Sequence, residues 1–322
     1  MASPLVRALR FALPLALSLF GLEAAIRFGA SRCRVHQAGK INLVMAHEVD
    51  PELAIFGASN ALINFDAAAI ERATGMTTFD FGMDGTPFLQ YQALLREYLS
   101  YSKRGKDVVL AETFMTFIGI PALRAPSRYL PYFHEKNVHE VFALIDPTLT
   151  AKMRFVPLYS FVVADQDYYK ASLRGYLSLL GRPVANSEVQ GFFANDKSWP
   201  TPAAMAAAPP PPPPEAYATD PRAERDYTEM IGKINAAGKR VILVVTPVQE
   251  SCLHAFPHFE AHRQKLRALI GGRNVYLDYA HHPMTQDKGW FYNCGHLNRR
   301  GAAEFARLFA RDHGALPPRD QR

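Results

Sequence analysis

Two short segments at opposite ends of the chain carry residues suited to acyl chemistry. The first is Phe56-Gly57-Ala58-Ser59-Asn60-Ala61, where small residues directly follow an apolar run. A serine nucleophile needs this setting. A strand holds it at the edge of a sheet, small neighbours let substrate approach, and the N-terminus of a following helix turns amides toward an oxyanion. A serine so placed can also do no more than cap a helix. The second segment is Phe291-Tyr292-Asn293-Cys294-Gly295-His296-Leu297-Asn298, followed by Arg299-Arg300-Gly301-Ala302-Ala303 and an amphipathic stretch. A loop histidine just ahead of a last helix can reach the same edge and take the serine's proton. The plainer reading is a solvated loop histidine, and the chain has eleven histidines. Each segment alone is a weak signal; together and in this order they say more.

The elements that must position them alternate between types. Glu52 to Phe56 reads as a buried strand, Ala67 to Thr74 as a helix and Thr77 to Phe81 as a second strand. Phe88 to Tyr101 reads as a helix and Asp107 to Ala111 as a third strand. Later come a helix from Pro221 to Ala237, with Asp220 as its N-cap, and the strand Arg240 to Val245. A helix from Phe259 to Ile270, a short strand from Asn274 to Leu277 and a final helix from Arg299 to Arg311 follow. Alternation of this kind predicts a parallel sheet covered on both faces, and continuous apolar strands agree with it. Sites in such sheets lie at the carboxyl ends of the strands, which groups Ser59, Gly82 and the Thr113 region.

Residues 114–220 interrupt the rhythm. They are rich in Tyr and Phe, with helices expected around Val138–Ile145 and Tyr168–Leu180, and they end in six prolines, Pro209 to Pro214. A proline run favours extended polyproline II and acts as a spacer. The segment is either a surface insertion or a cap over the site.

The N-terminus has Arg7 and Arg10 ahead of an apolar run from Phe11 to Leu22. A positive flank before an apolar stretch is the layout of a signal anchor or signal peptide, and residues 1–30 are assigned so. An amphipathic helix packed on the domain is the third option. Either of the first two carries the rest of the chain out of the cytoplasm.

Composition excludes several classes. Lys plus Arg exceeds Asp plus Glu by 36 − 30, or +6, with no concentrated basic stripe. Nucleic acid is therefore not an expected partner, whereas an anionic membrane surface is. Cys33, Cys252 and Cys294 lack CxxC spacing, so no zinc site is expected, and one bridge of unassigned pairing is open in an oxidising compartment. His281 and His282 make a poor metal pair. His254, His258 and His262 recur every four residues, but Pro257 discourages the helix that would align them. Gly82 and Gly85 form no phosphate loop, and no cofactor is expected.

The Gly-x-Ser after the first strand, the later Phe79-Asp80-Phe81-Gly82-Met83-Asp84-Gly85, and the near-terminal His296-Leu297-Asn298-x-x-Gly-Ala-x-x-Phe together resemble the SGNH/GDSL hydrolase superfamily. The likeness covers roughly residues 50–113 and 221–312. It is nearest to the membrane-anchored envelope members of the alginate O-acetylation and teichoic-acid D-alanine-transfer type. It implies a three-layer α/β/α, flavodoxin-like domain with a sheet of about five strands, in two parts (50–113 and 221–314) around the insertion. It implies a serine-dependent acyl-ester hydrolase or O-acyltransferase working on an acylated envelope glycan. The expected location is an inner-membrane anchor with the domain on the periplasmic side, beside envelope-polysaccharide machinery. By resemblance Ser59 is the nucleophile, His296 the general base, and the amides of Ser59 and Gly82 form the oxyanion hole. Two positions depart from the family pattern. Asn293 stands where a triad Asp is expected, and the same exchange in a Ser-His-Asp triad costs about 10⁴-fold in rate. Glu112 and Thr113 stand where an oxyanion-hole Asn is expected; Thr113 can donate, whereas an ionised Glu112 repels an oxyanion, and a lost donor costs about 3 kcal/mol. These departures support the competing expectation of a catalytically weak or inactive binding or scaffold subunit.

Overall fold

The computed structural model describes residues 4–113, 116–201, 219–256 and 259–316, without the side chains of 4–9 and 254–255. The Pro209–Pro214 run and His258 lie outside these residues, as does the His254 side chain.

Five strands form one parallel sheet: β1 (Leu53–Gly57), β2 (Thr78–Asp80), β3 (Asp107–Glu112), β6 (Arg240–Val245) and β7 (Val275–Asp278). Their order is β2-β1-β3-β6-β7. The register pairs Gly57 with Ala111 and Glu112 with Val245, so the carboxyl ends of the central strands finish side by side. Strands β1, β3 and β6 are buried along their whole length. Alternate side chains feed two separate cores. Ala54, Phe56, Val108, Leu110 and Leu243 pack on one face with α5 (Phe88–Tyr101) and α10 (Pro221–Ala236). Leu53, Ile55, Val109, Ile242 and Val244 pack on the other with α12 (Arg299–Gly314). This is a three-layer α/β/α arrangement, and each fully buried Val, Leu or Phe stabilises it by about 1.5–3 kcal/mol.

The helices begin where local chemistry says they should. Asp66 caps α4 (Ala67–Thr74) through the Ala69 amide at 2.9 Å. Asp220 caps α10 through the Arg222 amide at 2.8 Å, with Pro221 in the first turn. Asn298 caps α12 through Gly301 at 3.0 Å. Strand and helix limits fall within a few residues of those read from the sequence. A helix not anticipated there, α2 (His36–Met45), packs against α5.

The inserted segment holds α6 (Lys136–Ile145), α7 (Pro147–Phe155), α8 (Ser160–Val163) and α9 (Gln166–Leu179). It also holds a hairpin, β4 (Glu188–Val189) and β5 (Phe192–Phe193). The turn places Gln190 at φ 48° and Gly191 at φ 85°, the paired left-handed conformation of a tight hairpin. A Cβ on Gly191 would fall 1.8 Å from the Asp80 carbonyl oxygen. Only glycine permits this approach, which lets the Asp80 amide donate to the Gln190 carbonyl at 2.9 Å. The hairpin is thereby held against the edge strand β2. Sequence reading missed it because each strand has two residues, too few to show alternation.

One long helix, α1 (Pro4–Ser31), precedes the domain. It is long and apolar enough over Arg10–Ser31 to cross a membrane, and none of that stretch's most apolar window is buried in the protein. From Phe11 to Leu22 its side chains face out, and it docks from Glu23 on.

Candidate active site

Ser59 opens α3 (Ser59–Asn64) two residues beyond Gly57, the last residue of β1. His296 opens β9 (His296–Leu297), which pairs with β8 (Phe291–Asn293) in a small hairpin ahead of α12. The fold brings the two together: His296 Nε2 lies 2.8 Å from Ser59 Oγ. His296 Nδ1 lies 2.8 Å from Asn293 Oδ1. The same Oδ1 accepts from the backbone amides of Gly295 (3.1 Å) and His296 (3.0 Å). Two backbone donors require an oxygen there, so the orientation of the Asn293 amide is fixed. Nδ1 must then carry the proton, which leaves the Nε2 lone pair facing the Ser59 hydroxyl.

Burial pushes the His296 imidazole down to about 4, with the Asp84 carboxylate acting weakly the other way. His296 is therefore a neutral acceptor through the neutral pH range. The Tyr292 ring stacks on it at 5.6 Å between centroids and 16° between planes, covering one imidazole face.

Three connections hold the histidine loop. Asn64, fully buried in α3, donates from Nδ2 to the Gly295 carbonyl at 3.2 Å and accepts from the Leu297 amide at 2.9 Å. The Gln249 amide donates to the Cys294 carbonyl at 2.8 Å. Cys294, between Asn293 and His296, is disulfide-bonded to Cys252 in the turn after β6. Cys33 is the buried free thiol. Sequence reasoning left the pairing open and missed Asn64; a lone amide between Ile63 and Phe65 was the available signal of a buried polar contact. The bridge closes 42 residues, worth about 4 kcal/mol in the chain-entropy account. Reduction, or Cys252→Ser, is expected to lower the melting temperature and reduce kcat/KM, because the loop carrying His296 gains freedom. A calorimetric scan and an ester assay with and without reductant measure both.

A cavity of about 350 Å³ opens over the pair. Ser59, His296, Tyr292, Leu62, Ile63 and Asp84 form its floor and one side. Ser187, Glu188, Phe193 and Asn195 of the insertion form another, with His36 and Gln37 of α2 between. The insertion thus contributes walls to the cavity, with Phe193 as its aromatic member. Gln37 Oε1 accepts from the Asp84 amide and from Arg128 Nη1, each at 2.8 Å, tying α2 to the glycine-rich loop. His36 sits at φ 55°, a strained backbone for a non-glycine residue. None of the α2 or hairpin residues had a functional signal in the sequence.

The expected oxyanion donors need correction. The Gly82 amide donates to Asp80 Oδ1 at 2.6 Å, so it is not offered to the cavity. Thr113 does not line the cavity; its carbonyl accepts from the Thr116 hydroxyl at 2.9 Å. Glu112 points away into the core, where its carboxylate accepts from Tyr91 and Tyr227 at 2.8 Å each and from Thr116 at 2.5 Å. Burial raises it to about 7, the three hydroxyls opposing. It clamps α5 and α10 to β3. The amides of Ser59 and Asn60 form no hydrogen bond among the described residues, as the first turn of a helix leaves them.

The other candidates disperse. Asp287 caps the turn at Gly289 (2.7 Å) away from the cavity, whereas Asp84 lines it. His281 meets Glu260 at 2.8 Å and His282 accepts from the Met284 amide at 3.2 Å. His262 is buried against the aromatic Phe117, and burial lowers it to about 4. Among the described residues no three His, Cys, Asp or Glu side chains converge as a metal set. No family model matches this chain, and no curated protein matches it.

Proposed function

We propose that the protein is a serine-dependent acyl-ester hydrolase or O-acyltransferase that works through an acyl-Ser59 intermediate on a glycan. The reading rests on one observation: the unbroken relay from Ser59 Oγ through His296 to Asn293 Oδ1, 2.8 Å at each link. In the first step Ser59 Oγ bonds to the acyl carbonyl carbon and its proton passes to His296 Nε2. The developing oxyanion is met by the unpaired amides of Ser59 and Asn60. The carbonyl re-forms, the ester C–O bond breaks, and His296 returns the proton to the leaving alkoxide. Water or a sugar hydroxyl then attacks the acyl-enzyme, with His296 again as base; the choice between them separates hydrolysis from transfer. Amide and carboxylate groups of Gln37, Asn195, Asp84 and Glu188, together with the rings of Tyr292 and Phe193, suit a hydroxylated sugar.

The location belongs to the same reading. The apolar α1 anchors the chain, with Arg7 and Arg10 on the cytoplasmic side. A disulfide in the histidine loop favours an oxidising compartment for the domain, which is the envelope. A second reading, a binding or scaffold subunit, is favoured by the neutral Asn293 and by the occupied Gly82 amide. Labelling with a serine-directed fluorophosphonate separates them. The active reading expects wild type to label and Ser59→Ala not to. Absence of Ser59-dependent labelling in folded protein selects the scaffold.

A further inference from the structure

Among the described residues, strongly exposed large apolar side chains occur in two places only: α1 and the insertion. The α/β domain shows none. Within the insertion they are carried mainly by α7, α8 and α9 and the residues just after them, including Phe155 (74%), Val162 (71%) and Leu180 (74%), with Val156, Leu173 and Leu179. A water-soluble surface scatters such side chains singly; a gathering of this kind marks a contact.

Only part of this set lies where α1 leaves the protein. Helix α9 packs along α1 and runs in the same direction. Ser172 and Gly175 face Gly29, so closely that a Cβ on Gly175 would fall 1.8 Å from the Gly29 carbonyl oxygen. One turn on, the Tyr176 hydroxyl donates to the Ala25 carbonyl at 2.8 Å. Gly175 also approaches the Cys33 amide, and Arg27 and Glu23 lie by Tyr168 in the first turn of α9, so Leu179 and Leu180 at its C-terminal end run away from Leu22, where α1 leaves the protein. On another side, the Ser160 hydroxyl donates to the Glu23 carboxylate at 2.5 Å. That sets α8, with its exposed Val162, at the same level. Glu23 also meets Arg27 at 3.5 Å, so its charge is compensated there.

Basic residues interleave with these apolar ones: Lys152 and Arg154 on α7, within a few residues of Phe155, Val156 and Val162. Apolar side chains flanked by long cations fit one occupant, the headgroup and acyl boundary of an anionic bilayer, with the cations reaching up to phosphates.

We propose that α8 and the C-terminal end of α7, with Phe155, Val156 and Val162, form a second membrane-contact surface beside the base of α1. It dips about 5–10 Å into the headgroup region and holds the domain at a fixed height and tilt. The proposal rests on α1 being membrane-inserted but not on the ester chemistry.

The test uses the full chain in nanodiscs of phosphatidylcholine and phosphatidylglycerol. Val162→Trp and Phe155→Trp are made singly; both sites are exposed, so neither strains the core. Wild type, with Trp199 and Trp290, supplies the background. The added tryptophan is expected to be quenched by lipids brominated near the headgroup end of the acyl chain, and protected from aqueous iodide. A chain retained in the disc whose added tryptophans are open to iodide and indifferent to bromine overturns the second surface and leaves α1 as the sole anchor. A chain released from the discs on washing overturns both.

Discussion

Ser59→Ala is expected to lower kcat on a small acyl ester by at least about 10⁴-fold, since removing a triad nucleophile leaves only binding and the oxyanion site. His296→Ala is expected to cost a similar factor, and the double variant little more than either alone. The reason is the shared relay: Ser59 Oγ has no other base within hydrogen-bond reach among the described residues, and His296 Nε2 has no other partner there. Steady-state rates of the two single variants and the double measure this. A double variant whose loss is the product of the single losses would show that the residues act separately, and the relay would fail as a mechanism. Folding of Ser59→Ala is not at risk, because the side chain is half-buried at a cavity and its loss strands only the His296 ring nitrogen.

The second large effect concerns Asn293. A neutral amide orients the imidazole but does not stabilise the imidazolium formed during attack. Burial outweighs the opposing Asp84 carboxylate and holds His296 down at about 4. Below that value the ring is protonated and cannot act as base, so the acid limb of kcat/KM is expected near pH 4. Asn293→Asp puts an anion against Nδ1, which favours the protonated ring and moves the limb upward. It also stabilises the transition state. The gain in kcat at neutral pH is expected to be roughly ten- to a hundredfold, less than the 10⁴-fold of a triad with the wrong tautomer, because Asn293 already fixes the right one. Asn293→Leu removes the acceptor for Nδ1 and for two backbone amides, and is expected to lower both activity and stability. The check is a pH–rate profile of the three proteins. An Asp variant with an unmoved limb and unchanged rate, beside an Asp84→Asn variant that loses activity, would transfer the charge-stabilising role to Asp84. The same burial has a stability consequence of definite sign. Between pH about 6.5 and 4 the unfolded His296 binds a proton that the folded ring refuses, so its contribution to stability falls as pH falls through that window.

Several features were decided by the sequence alone. The runs at 53–57, 107–112 and 240–245 are apolar without interruption, and a strand with no polar face must be covered on both sides. That demand, with helices between, yields a parallel three-layer fold before any coordinate is known. The cap at Asp220 is local chemistry, legible within four residues, and Asp66 and Asn298 cap their helices in the same way. Ser59, His296 and Asn293 were legible because two motifs in the right order at opposite ends of the chain imply a shared edge of the sheet. The apolar run from Phe11 was legible as a membrane-length helix for the same local reason. Tertiary structure decided what depends on residues far apart in the chain. Asn64 holds the histidine loop across more than two hundred positions. Cys294 chose Cys252 over Cys33 because the turn after β6 passes beside the histidine loop. Gly82 lost its expected role when the Asp80 side chain, folded back on its own strand end, captured its amide. Glu112 turned inward because two buried tyrosines and a threonine supplied donors that no periodicity reveals. The hairpin that walls the cavity exists because β2 is an edge strand with a free amide, and a free amide at a buried edge draws an acceptor from whatever segment can reach it.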